Sequence, residues 1–255
     1  MSGGLKARLK TALQQRVDCS EVLATSWVDL PAVALAQRSV ELERDGRVQL
    51  GELFDITGSP EGVIRFTGDL AQADRLGAGL TEGLAVVEGN IGNEAGLGMT
   101  GGALDIAGDA GARTGAAAAG FKRGMAGGEL VVRGTAGPEA GASMRRGLLV
   151  VGGAAGARTG LGMIAGTIVV FGAAGRETGL WSKRGSVVAL GDITPPATYV
   201  YACTYQPVLL RIVLRRLQAS YGLGVRKRHL QGFYDRYSGD MAELGKGEIL
   251  KWTAS

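Results

Sequence analysis

From Gly62 to Gly191 the chain repeats one short phrase: a glycine, five residues of which the second and fourth are apolar, and another glycine. The second position holds Ile64, Ala85, Leu104, Leu130, Leu149, Ile168 and Val187; the fourth holds Phe66, Val87, Ile106, Val132, Val151, Val170 and Ala189. The third position admits Arg65 and Asp105. Alternation with one constantly apolar face predicts a strand that buries one side. The opening glycines Gly83, Gly102, Gly128, Gly147, Gly166 and Gly185 stand 19, 26, 19, 19 and 19 residues apart, and Gly62 stands 21 residues before Gly83. In five units more glycines recur in register after the strand, among them Gly92, Gly111, Gly137, Gly156 and Gly175, and predict successive tight turns. A unit of about 19 residues with one strand is too short for a helical hairpin repeat or a propeller blade. Stacked at roughly 4.8 Å per unit, seven such units predict a parallel β-helix on the order of 33 Å long.

Two further ladders fit that register. Three residues before each next unit stand Leu80, Met99, Met125, Met144, Met163 and Ser182, which the pattern turns inward. On one edge Arg75, Glu94, Arg113, Glu139, Arg158 and Glu177 alternate in sign, as stacking about 5 Å apart would require. Outside the repeat, residues 5–17 place Leu5, Leu9, Ala12, Leu13 and Val17 on one helical face, which predicts a cap or partner-binding helix. From Gln206 to His229 there are six Arg and Lys residues and no acid. Both tails are expected to cover the ends of the repeat. The organisation expected is an N-terminal cap segment over 1–50, the repeat over 51–191 and a C-terminal cap or docking segment over 192–255.

Composition narrows the function. Of 44 glycines, 33 lie in the repeat, without the Gly-X-Y period of collagen. With 45% hydrophobic and 20% charged residues the chain can bury a core. Cys19 and Cys203 stand far apart with no CxxC, which excludes zinc-ribbon, iron–sulfur and disulfide-framework readings and suits a reducing cytoplasm. The opening residues, Met1 to Arg8, lack the apolar core of a secretory signal, so no export is expected. The uncharged run Thr159 to Gly175 carries five glycines and is too short to span a membrane. A net charge of +4 favours acidic partners without singling out nucleic acid, and neither nucleic acid nor membrane is expected as a partner.

The units from Gly147 to Gly160 and from Gly166 to Gly179 resemble the GXGXG-type β-helix shared by the formylmethanofuran dehydrogenase C-subunit and the C-terminal domain of the large glutamate synthase subunit. The run Ala142-Ser-Met-Arg-Arg-Gly-Leu-Leu-Val-Val-Gly-Gly153 most resembles the C-subunit of the bacterial formyltransferase/hydrolase complex of methylotrophs. The fold expected is therefore all-β: a single-stranded right-handed parallel β-helix of about seven coils with helical or irregular terminal caps. The resemblance implies a scaffold subunit in one-carbon metabolism. Formyl groups would move between tetrahydromethanopterin and a methanofuran or methylofuran carrier and then to hydrolysis. An amidohydrolase-like, metal-bearing A-subunit, a B-subunit and a formyltransferase D-subunit would be its partners, and no catalytic residue transfers to this chain. An amidotransferase spacer of the glutamate-synthase kind is the alternative. A free-standing polysaccharide lyase is a third, for which Asp105 and Asp109 are too isolated.

No catalytic constellation and no metal-ligand cluster emerges from the residues themselves. His229, the single histidine, has no second histidine or nearby cysteine, and a structural or solvated role is expected of it. Gly96-Leu-Gly-Met-Thr-Gly101 mimics a dinucleotide loop, but a strand rather than a helix follows. The coil from Gly102 to Gly127 carries seven extra residues, most simply within Ala116 to Lys122. Candidate binding residues are Lys122 and Arg123 beside that insertion, and the basic pairs Arg145-Arg146 and Lys183-Arg184, which share one coil position two coils apart. Three roles stay open for them: a solvated basic face, counter-charges for a polyglutamate-tailed furan carrier, or contact with an acidic partner subunit.

Overall fold

The structure, a computed structural model, describes residues 3–24 and 26–253; Met1, Ser2, Thr25, Ala254 and Ser255, all within the expected terminal segments, lie outside the described residues. The chain opens with β1 (Leu5–Leu9), β2 (Val17–Asp18), α1 (Ala32–Ala36), β3 (Ser39–Leu42), β4 (Gly46–Gln49), α2 (Leu50–Leu53) and β5 (Phe54–Gly58). The repeat supplies β6 (Val63–Thr67), β7 (Ala73–Asp74), β8 (Leu84–Val87), β9 (Ala103–Ile106), β10 (Ala126–Val132), β11 (Arg146–Val151), β12 (Thr167–Val170) and β13 (Arg184–Ala189). Then follow β14 (Val200–Tyr205), α3 (Val208–Tyr221), α4 (Lys227–Gln231), β15 (Phe233–Gly239) and β16 (Lys246–Thr253).

The seven strands read from the glycine phrases pair in parallel in the register that the spacing sets. Ile64 faces Ala85, Ala85 faces Leu104, and the alignment continues through Leu130, Leu149, Ile168 and Val187. Every second-position and fourth-position side chain is buried, as is every member of the Leu80 to Ser182 ladder. A second file of parallel bridges runs through Leu70, Ile91, Ala110, Ala136, Ala155 and Ala174 in the turns.

The expectation of a single-stranded right-handed parallel β-helix with helical or irregular caps is corrected by the sheet topology. The strands form a mixed 12-stranded sheet in the order β14-β15-β16-β13-β12-β11-β10-β9-β8-β6-β1-β5, with a four-stranded sheet β4-β3-β2-β7 beside it. β5 pairs antiparallel with β1, and β14, β15 and β16 form an antiparallel meander on β13. The physical reason is that exposed strand edges are closed by more strands, which satisfy the backbone directly. The helix expected over residues 5–17 is likewise corrected. Leu5 and Ala7 are buried while Lys6 and Arg8 are exposed, the period of two of a strand. Leu5, Leu9 and Val17 satisfy helical spacing as well, and tertiary pairing on both edges of β1 decides between the two.

The first five of the six alternating charges form a continuous file of ion pairs: Arg75 to Glu94 at 2.8 Å, Arg113 to Glu94 at 3.0 Å and to Glu139 at 3.2 Å, and Arg158 to Glu139 at 2.8 Å. Asp18 of β2 extends it at 2.7 Å from Arg75. All six ladder residues adopt left-handed φ near +60°, a conformation that disfavours residues bearing a Cβ. For the first five, the N–H is taken by a carbonyl of the next unit. Burial pushes the Glu94 carboxyl up, but hydrogen bonds and charge from Arg75 and Arg113 outweigh it and hold it below the ordinary range.

A second core lies on the outer face of the sheet. Where the third position of the phrase is Val131, Val150, Val169 and Val188, helix α3 lays Leu210, Leu214 and Leu217 against it, joined by Tyr234 and Leu250. The spacing of 210, 214 and 217 is that of one helical stripe. Gly222 ends the helix in the left-handed conformation.

Candidate functional site

The basic pairs stand where the strands begin. The N–H groups of Arg145, Ile164 and Lys183 donate to the carbonyls of Met125, Met144 and Met163, which makes Arg145 and Lys183 equivalent positions separated by one unit whose corresponding pair, Ile164-Ala165, is uncharged. Strand spacing puts them on the order of 10 Å apart. Arg184 is in register with Lys246 of β16, so the meander adds a cation that the repeat alone does not reveal. Arg146, Lys183, Arg184 and Lys246 are exposed and Arg145 half-buried. Among the described residues none of the five has an ion pair or a side-chain hydrogen bond.

Lys122 and Arg123 do not belong to that row. Ala126 is the register partner of Arg146, so Arg123 lies three residues ahead of it, at the end of the insertion. Arg123 instead lines a groove of about 630 Å³ with Ser20, Glu21, Leu97, Ala118 and Phe121. The inserted residues cover an apolar corner formed by Leu97, Ala116 and Ala142 and leave Phe121 largely exposed. A neighbouring cleft of about 500 Å³ is walled by the ion-pair file, with Arg16, Asp18, Asp74, Arg75, Glu94 and Arg113 neutralising one another.

His229 is buried between Phe171 and Trp252, edge to face with each. Its Nδ1 accepts the Arg226 N–H at 3.2 Å. Arg228 stacks over the Trp252 ring at 4.7 Å. Burial, reinforced by Arg228 and Arg226, pulls the imidazole below its ordinary range. The ring therefore packs as a neutral core group that fastens α4 to β16. Cys19 is buried and its thiol is pushed up to about 12, by burial first and then by Asp18 and Asp74, which makes it a poor nucleophile. Among the described residues no group of three His, Cys, Asp or Glu could hold a metal ion, and no helix is long and apolar enough to cross a membrane. What the arrangement offers chemically is a stiff surface with a row of unneutralised cations.

Reasoning from the repeat missed Lys246, because it lies outside the glycine phrases. The signal available was its place in Lys246-Gly-Glu-Ile-Leu250, which repeats the basic-glycine-polar-apolar-apolar order of Arg184-Gly-Ser-Val-Val188.

No protein-family model matches the chain, and no curated protein matches it. Among solved structures it is similar to a chain of the formyltransferase/hydrolase complex (FhcABCD) from Methylorubrum extorquens, crystallised in complex with methylofuran. The two chains are 32% identical, the alignment covers 98% of this chain and 100% of that one, and the TM-score is 0.77.

Proposed function

The chain belongs to the family of that formyltransferase/hydrolase complex chain, and from this premise we propose that it is the non-catalytic scaffold, in the place of the C-subunit, of such a complex in the cytoplasm. The formyltransferase D-subunit and the amidohydrolase-like A-subunit, with its metal, carry out formyl transfer and hydrolysis, with the B-subunit beside them. Tetrahydromethanopterin and a methylofuran or methanofuran carrier bring and take the formyl group. This chain contributes a rigid surface that holds two reaction sites at a separation one tethered carrier can bridge, which raises the carrier's effective concentration at both.

The observation that carries the reading is the row Arg145-Arg146, Lys183-Arg184 and Lys246 at the strand starts, cationic and without acidic partners among the described residues. Guanidinium and ammonium groups spaced about 5 and about 10 Å apart along one row suit successive carboxylates of an extended polyglutamate tail better than a single anion. Lys122 and Arg123 serve a separate contact at the insertion.

Pull-down of the tagged full chain from its native cells, with mass spectrometry of retained proteins and small molecules, tests this. Recovery with a formyltransferase, an amidohydrolase-like protein and a glutamate-tailed furan compound is expected. Recovery with flavin and iron–sulfur proteins would overturn the reading in favour of the amidotransferase spacer.

A further inference from the structure

The C-terminal segment leaves an apolar surface uncovered on the side of α3 turned away from the sheet. Val208, Leu209 and Ile212 are 64%, 74% and 61% exposed, and Phe233, which opens β15 close to where β14 runs into α3, is also exposed. Scattered exposed apolar residues are ordinary, but large ones grouped on one helix turn mark an interaction site. β14 adds a free edge. It is the last strand of the 12-stranded sheet, it carries no charge, and its outer backbone groups face no other strand among the described residues.

Charge decides what covers this surface. From Val200 to Tyr221 the only charged residues are Arg211, Arg215 and Arg216. Arg216 is neutralised by Glu129 of β10. Arg211 and Arg215 have no acid among the described residues, and the Arg211 Nε is buried without a hydrogen-bond partner. Arg211 is half-buried and Arg215 exposed, and a carboxylate presented from outside the chain would pair with these guanidiniums. A second copy meeting this face across a two-fold axis does not supply that carboxylate. In a two-fold contact the same patch meets itself, which would gather four unpaired guanidiniums over the apolar residues.

We infer that the outer face of α3, with the free edge of β14, is the docking surface for another subunit of the complex, one that presents apolar side chains to Leu209 and Ile212 and carboxylates to Arg211 and Arg215. The inference rests on the reading that the chain works within a multisubunit complex, and it concerns a different surface from the cationic row.

The test co-expresses the full chain with the other subunits of the formyltransferase/hydrolase complex and measures the subunits recovered on it. Two double variants are compared with wild type, Leu209→Glu with Ile212→Glu, and Arg211→Gln with Arg215→Gln. The expected result is that each recovers at least tenfold less of one and the same subunit, while the free chain keeps its melting temperature and stays monomeric by light scattering. If the glutamate variant does not fold, Leu209→Ser with Ile212→Ser replaces it. Wild-type recovery by either variant overturns the inference, and so does a free wild-type chain that is dimeric and becomes monomeric on substitution, since a second copy would then cover the patch. A wild-type chain that recovers no other component of the complex overturns the scaffold reading as well, which separates the two failures.

Discussion

Replacing Asp240 removes the last rung of a backbone ladder. In successive units the N–H groups of Gly79, Gly98, Ala117, Ser143 and Gly162 donate to the carbonyls of Leu97, Ala116, Ala142, Leu161 and Leu180 one unit on, at 2.7–3.2 Å. The equivalent residue of the final unit is Trp181, and no further unit follows. Its N–H is taken instead by the Asp240 Oδ2 at 2.7 Å, while Oδ1 accepts the Ala242 N–H at 2.9 Å. The carboxyl is fully buried. Trp181 itself is held at a left-handed φ of 60°, where the earlier units have glycine at three of the five positions. Hydrogen bonds to a charged acceptor contribute about 1.5–3 kcal/mol each, and these donors are partly solvated, so Asp240→Ala should cost about 3 kcal/mol from the two bonds together. Asp240→Asn keeps one acceptor oxygen and should lose about half of that. Urea unfolding of the full chain measures both, and hydrogen exchange at the Trp181 amide reports the rung locally. An Asp240→Ala chain within about 0.5 kcal/mol of wild type, with the Trp181 amide still protected, would refute the reasoning.

Three other outcomes follow from the same geometry. Leu214, fully buried between α3 and the valine file, should cost about 2–5 kcal/mol on replacement by alanine, read as a lower urea midpoint with faster exchange across α3. His229 has a folded pKa below its ordinary value, so the unfolded chain binds the proton more readily. Stability should fall as pH drops below about 6.5 and level off beneath the folded pKa; melting temperatures between pH 7.5 and 5 should show this in wild type and not in His229→Gln. Neutralising Arg145, Arg146, Lys183 and Arg184 together should lower carrier retention in the assembled complex by about tenfold, with the loss shrinking at high salt; unchanged retention on an intact complex would leave these cations to the solvent.

The parallel strands were legible because two demands coincide. A position that recurs every 19 residues and alternates within each strand can satisfy both only as a stacked inner face, so Ile64 through Val187 fell into register. The turn charges were legible through their alternating signs, although nothing in them revealed the left-handed backbone they occupy. The ends were misread for physical reasons. Leu5, Leu9 and Val17 fit periods of both 2 and 3.6, and only the pairing of β1 with β5 and β6 resolves them. The meander β14 to β16 lacks the glycine phrase, so its continuation of the sheet was hidden. One signal went unread: the change at the third position from Arg65 and Asp105 to Val131, Val150, Val169 and Val188 announces that something covers the outer face there, and Leu210, Leu214 and Leu217 of α3 do so. Of the candidate site, the two basic pairs lie along one row as spaced, whereas Arg123 joins the groove beside Phe121 and Lys246 joins the row from outside the repeat.

The most direct measurement is reconstitution of the formyltransferase/hydrolase complex from its separate subunits with and without this chain, followed by mass photometry and by assay of each half-reaction and of the coupled one. A scaffold predicts that both half-reactions persist without the chain, that the full assembly does not form, and that coupled turnover returns only when the chain is added. A complete assembly with wild-type coupled turnover in its absence, or formyl transfer or hydrolysis by the chain alone, would contradict the account.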